Sequence, residues 1–145
     1  MPLLFTSGVG ATGPTGPTGP SMAIPNDAAD IGAPFATSSQ SFVDVTGASC
    51  SVTIASGTAY IWAQACVTWS GSNETSGMRI VIGAQDGNET QDDDKGLSQT
   101  VAVNLRSTAA LAVGAYTVKV QVRSVGGGEV TVEHVDLFAL ALPTG

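Results

Sequence analysis

His134 is the only histidine in the chain. In an extended strand successive side chains point to opposite faces, which puts Asp136 on the histidine's face and Glu133 on the other. A His–Asp pair can orient an imidazole so that it polarises a nucleophile. Yet no Gly-x-Ser-x-Gly elbow accompanies the pair, and no serine is placed by sequence as its partner, so a hydrogen-bonded structural histidine is expected. Cys50 and Cys66 are the only cysteines. Cys50 keeps step with Val52 and Ile54, while Cys66 alternates out of phase with Ile61, Ala63, Ala65 and Val67. Opposite faces argue against a bond between them, so two reduced structural thiols are expected, as in a reducing cytoplasm. One histidine and two cysteines divided in this way make a poor zinc site. No metal and no cofactor is expected.

A second candidate is acidic. Asp86, Asn88, Thr90 and Asp92 alternate, and Asp93 and Asp94 follow. Oxygen ligands at alternate positions suit calcium. The EF-hand pattern fails, because glycine is missing from the sixth position and glutamate from the twelfth, and a solvated hairpin loop is expected. Trp62 and Trp69 offer surfaces for stacking on sugars, but packing in a core or against another subunit is the more ordinary use of tryptophan.

The elements that carry these residues read as strands. Ser41–Val45 alternates and stops at Gly47; Cys50–Ile54 alternates and stops at Ser56-Gly57. Ala59–Trp69 is one long strand, followed by Met78–Ile82, Val101–Leu105, and a clean alternation of Tyr116, Val118, Val120 and Val122 with polar residues. Gly126-Gly127-Gly128 turns the chain into Val130–Leu142, whose later half is apolar on both parities. Short period-two runs with Gly and Ser punctuation predict an antiparallel sandwich. A strand apolar on both sides has one face on its own core and the other on a second subunit.

Ahead of the strands, glycine recurs at every third position. Gly10, Gly13, Gly16 and Gly19 head four triplets, and proline follows in three of them. Three chains wind into a collagen helix only where the crowded axial residue has no side chain. The reading is a short triple-helical stalk over 10–21 and hence a homotrimer; the other reading is a stiff monomeric linker. Residues 1–9 form a foot in which Leu3, Leu4 and Phe5 have nothing local to bury them, and residues 22–36 read as an irregular neck before a head over 37–145.

The totals bound the rest. The chain has 145 residues, of which 43% are hydrophobic and only 12% charged, with a net charge of −7. Such a surface repels phosphate backbones, and nucleic-acid binding is not expected. The first residues lack the basic region and long apolar core of a secretory signal, and no run reaches transmembrane length, so no membrane partner is expected.

A Gly-Pro-Thr tract followed by about 110 residues of jelly-roll strands resembles the collagen-like proteins of tailed phages and bacterial spore coats, whose heads are similar to the trimeric complement and tumour-necrosis-factor-like heads. Ser56-Gly57-Thr58-Ala59-Tyr60-Ile61-Trp62 resembles the glycine-then-aromatic strand start of those heads, Ile80-Val81-Ile82-Gly83 their strand-to-turn step, and Gly114-Ala115-Tyr116-Thr117-Val118 a later strand start. The resemblance implies an all-β protein: an antiparallel jelly-roll β-sandwich on a collagen-like stalk, assembled as a homotrimer. The expected function is that of a non-enzymatic virion structural protein, made in the host cytoplasm. It would decorate a phage capsid, with Leu3, Leu4 and Phe5 docking on the major capsid protein. The alternatives are the glycan-recognising tip of a tail fibre or spike, and a spore-surface protein.

Overall fold

The structure is a computed structural model that describes residues 26–31, 34–71, 75–93 and 98–144. Leu3, Leu4, Phe5 and the stalk glycines Gly10, Gly13, Gly16 and Gly19 lie outside the described residues. Ten strands run in chain order: β1 (Asn26–Ile31), β2 (Phe35–Thr37), β3 (Val43–Ile54), β4 (Ala59–Gly71), β5 (Thr75–Ile82), β6 (Gln85–Asp86), β7 (Thr90–Asp93), β8 (Gln99–Arg106), β9 (Gly114–Ser124) and β10 (Val130–Pro143). No helix occurs among the described residues.

The strands form two antiparallel sheets. The front sheet has the order β1-β10-β4-β8, with β2 also pairing β10; the back sheet has the order β3-β9-β5-β6, with β7 also pairing β5. Successive strands change sheet between β2 and β3, β3 and β4, β4 and β5, β7 and β8, β8 and β9, and β9 and β10. This interleaving of two Greek keys is the jelly roll. It covers the inner face of each sheet with the inner face of the other.

Alternation sends the right residues inward. On β4, Ile61, Ala63, Ala65, Val67 and Trp69 are all fully buried; on β9, Val118, Val120 and Val122 are too. Trp69 is the largest of the fully buried side chains, and its indole N–H finds no acceptor among the described residues. Cys50 is a core residue, and both cysteines are free. Burial first, and the nearby Asp27 carboxylate second, push the Cys50 thiol up to about 11, so it stays protonated at neutral pH.

Three features differ from the expectation of simple alternating runs. The runs on either side of Gly47 are one strand, because Gly47 adopts a φ of +85° and makes a bulge where a turn was expected. Pairing with β9 jumps from Asp44 to Ser49 across it. The stretch read as an irregular neck supplies β1 and β2, both paired with β10. Part of the acidic segment is also stranded, as β6 and β7.

Two contacts fasten the sheets beyond the core. The Asp27 carboxylate on β1 accepts from the Ser51 N–H on β3 at 2.8 Å and from the Ala28 N–H at 2.9 Å, which holds it below the usual carboxylate range. The buried Ser107 hydroxyl accepts from Ile61 N–H at 3.2 Å and donates to the Ala109 carbonyl at 2.9 Å, securing the chain where it leaves β8.

Leu137 on β10 sits fully inside this core. Leu137→Ala is expected to lower the unfolding free energy by about 2–5 kcal/mol, read as a drop in the urea midpoint at unchanged slope.

Candidate functional site

The two outer faces of the sandwich have opposite chemistry. On the back sheet, Arg79 pairs with Asp86 at 2.9 Å, Lys119 with Asp44 at 2.8 Å, and Arg123 with Glu89 at 2.8 Å. Gln121 joins the network by accepting from Arg79 Nε and donating to Asp44. The guanidiniums of Arg79 and Arg123 cover the Phe42 ring, 4.2 and 5.2 Å from its centroid. Gly77 keeps this arrangement possible: a Cβ there would collide with the Glu89 carboxylate that Arg123 holds. Asp86, the first residue of the suspected calcium run, is thus committed to Arg79. The charged side chains described on this face are thus paired with one another.

The front sheet is different. Tyr60, Trp62, Gln64, Cys66 and Thr68 on β4 point outward, since their odd-numbered neighbours are buried. Beside them on β10 lie Phe138, Leu140 and Leu142, with Phe138 40% and Leu142 43% exposed. In register, Leu140 is opposite Trp62 and Leu142 opposite Tyr60. Ala28 lies opposite Phe138 on the β1 side, while on the β8 side Arg106 and Asn104 lie opposite Trp62 and Gln64. The only basic side chain described there, Arg106, stacks over Tyr60 at 4.9 Å. The second apolar parity of β10 is therefore real and lies on the surface of the single chain. Of the two tryptophans, Trp69 is core and Trp62 belongs to this face.

One end of the apolar face is polar. His134 Nε2 lies 3.1 Å from Asp136 Oδ2, the same-face pair that the spacing implies. Its Nδ1 lies 3.4 Å from Asp30 Oδ1, which comes from β1. Asp30 and Asp136 are direct register partners, and Asp136 is also the partner of Cys66 on β4. Ala28, Asp30, Gln64, Cys66, Asp136 and Phe138 help to line a groove of about 460 Å³ running from this cluster into the apolar stripe. Glu133 departs from the alternation. The ladder shifts between Val132 and His134, both Val132 and Val135 stay buried, and Glu133 is left on the outer side with the histidine. There its carboxylate accepts from the hydroxyls of Ser70 and Ser98 at 2.8 and 3.0 Å.

The sequence brings forward His134 and Asp136 and misses Asp30. No signal within β1 marks that aspartate; only the β1–β10 register does. Leu3, Leu4 and Phe5, expected from the sequence to act as an anchor, lie outside the described residues.

No protein-family model matches the sequence, and no curated protein matches it. Among solved structures, similar ones include the insecticidal delta-endotoxin Cry8Ea1 of Bacillus thuringiensis, at 14% identity and a TM-score of 0.43 over 77% of this chain and 20% of the toxin. The chain thus spans a fifth of that protein's length. Eiger TNF from S. frugiperda is similar at 10% identity and a TM-score of 0.41, over 83% of this chain and 95% of that one. A family 35 carbohydrate binding module from an environmental isolate follows at 14% identity and a TM-score of 0.38, over 66% and 71%. These values carry nothing about function, and the fold rests on the strand order itself.

The back-sheet ladder gives a pH prediction. Hydrogen bonds from Arg123, and a weaker one from Gln91, hold the Glu89 carboxyl below the usual range against the opposing effect of burial. A lowered folded pKa gives stability that is present above the unfolded value of about 4.3 and lost as pH falls through the folded one. Glu89→Gln should therefore cost about 0.2–1 kcal/mol at pH 7. The gap between variant and parent should close as denaturation is repeated below about pH 4.

Proposed function

We propose that this chain is a non-enzymatic structural protein that assembles as a trimer. The outer face of the front sheet would lie between subunits, the Gly10–Ser21 tract would wind as a collar, and the back sheet would face solvent. The observation that carries the reading is the outer row of β10: Phe138, Leu140 and Leu142 beside Trp62. Full burial of a large apolar side chain is worth about 1.5–3 kcal/mol. Half-exposed residues have part of that gain left to make, and a trimer would bring three copies of the stripe together. The glycine period supports the same stoichiometry independently, because a collagen helix takes three strands.

The finer reading is a virion protein that decorates a phage capsid. Leu3, Leu4 and Phe5 would seat the trimer on the major capsid protein. Three weak feet on one rigid body raise the effective concentration of the second and third contact, so the assembly binds where one foot would not.

Analytical sedimentation of the full chain tests the assembly, with a trimer expected. Phe138→Glu combined with Leu140→Glu is expected to give single copies with an unchanged far-UV spectrum, since both side chains point away from the core. A parent chain that sediments as one copy would overturn the reading. Deleting residues 1–9 should leave the trimer intact and abolish its attachment to particles; attachment that survives the deletion removes the foot from the mechanism.

A further inference from the structure

We propose that Asp30, His134 and Asp136 form a binding site for one divalent first-row transition metal of the zinc class. One ligand atom from each residue lies within 4.8 Å of the other two. Bonds of about 2.0–2.2 Å to a shared metal place ligand atoms at most about 4.4 Å apart, so only small side-chain rotations separate this geometry from coordination.

Electrostatics favours a cation here. Asp30 and Asp136 face each other directly across the β1–β10 ladder. Like charges in that relation destabilise a sheet. The described basic side chains are engaged elsewhere: Arg79 with Asp86, Lys119 with Asp44, Arg123 with Glu89, and Arg106 over Tyr60. That leaves the His134 ring, which presents one nitrogen to each carboxylate. A divalent metal would take the lone pair of one ring nitrogen and offset the charge of both carboxylates, while the ring's N–H remains free to hydrogen-bond a carboxylate oxygen, the usual second contact of a ligating histidine.

The donor set selects the metal class. Imidazole suits zinc, nickel, copper and iron, whereas calcium and magnesium sites are built from oxygens. Three protein ligands leave one position of a tetrahedral ion for water or a further donor. All three side chains are about half exposed or more, and the groove beside Asp30 and Asp136 gives a ligand access. Nothing in this inference needs the trimer: a chain that proves monomeric can still bind the metal, and a trimer can form without it.

The test uses the untagged full chain, stripped with EDTA and titrated with Zn²⁺ and Co²⁺ by calorimetry. One equivalent per chain is expected, with visible d–d bands from Co²⁺. His134→Ala, Asp136→Asn and Asp30→Asn should each weaken binding by at least about tenfold. Asp86→Asn, in the other acidic segment, should leave it unchanged. Because the chain has a single histidine, its ring-proton NMR signals give a readout that needs no variant. They should shift or broaden on stoichiometric Co²⁺. The proposal is overturned by absence of stoichiometric binding, by full-strength binding to His134→Ala, by unmoved imidazole signals, or by calcium binding as tightly as zinc. Loss of binding in the variants together with moved imidazole signals supports it.

Discussion

A strand can turn only one of its faces to its own core, and β10 is apolar on both. Its inward residues, Val130, Val132, Val135, Leu137, Ala139 and Ala141, are buried without exception. Its outward residues from Phe138 on are large and apolar as well. The strand cannot be moved to the edge of the sandwich to escape the problem, because β4 on one side and β1 and β2 on the other use both of its hydrogen-bonding edges. On the single chain the outer stripe therefore stays partly open to water, with Phe138 40% and Leu142 43% exposed. Phe138 is met by Ala28 on β1 and Gln64 on β4, and Leu140 and Leu142 by Trp62 and Tyr60.

The back sheet shows what a face meant for water looks like in the same protein. Its ion pairs are partly open to water, with side-chain exposures from 20% to 57%, and pairs near the surface contribute only about 0.2–1 kcal/mol each. They are better understood as keeping that face soluble and unattractive to other chains. Phe42, just before β3, is covered by two guanidiniums, whereas Phe138, outward on β10, is 40% exposed. The same difference appears on the polar end of the front sheet, where carboxylates meet an imidazole and no lysine or arginine is described alongside.

Most of the strand content was legible because period-two alternation is a local property. Tyr116 to Val122 and Ile61 to Trp69 announce their inward faces within a few residues. What failed to show was anything decided by backbone conformation or by distant pairing. Gly47 is equally compatible with a turn and with a bulge, and only the partner strand β9 decides between them. β1, with the sequence Asn-Asp-Ala-Ala-Asp-Ile, has no strand signature of its own and exists because β10 offers it an edge. The extra residue at Glu133 is invisible as well, since Val132, Glu133, His134 and Val135 are consistent with unbroken pairing until the register is known.

The candidate site divides along the same line. His134 and Asp136 share a face because they are two residues apart, and any extended reading of β10 finds them. Asp30 reaches them from about a hundred residues away in sequence, through a register that alternation does not encode. Its arrival turns an ordinary histidine–aspartate pair into a cross-strand pair of carboxylates with one imidazole between them. A sequence selected for stability alone would gain by replacing either aspartate with threonine or lysine, as cross-strand pairing rules favour. Local choices that disagree with the fold are where function is to be sought. Here such a disagreement falls on the rim of the apolar face, where Asp30 and Asp136 meet across the β1–β10 ladder.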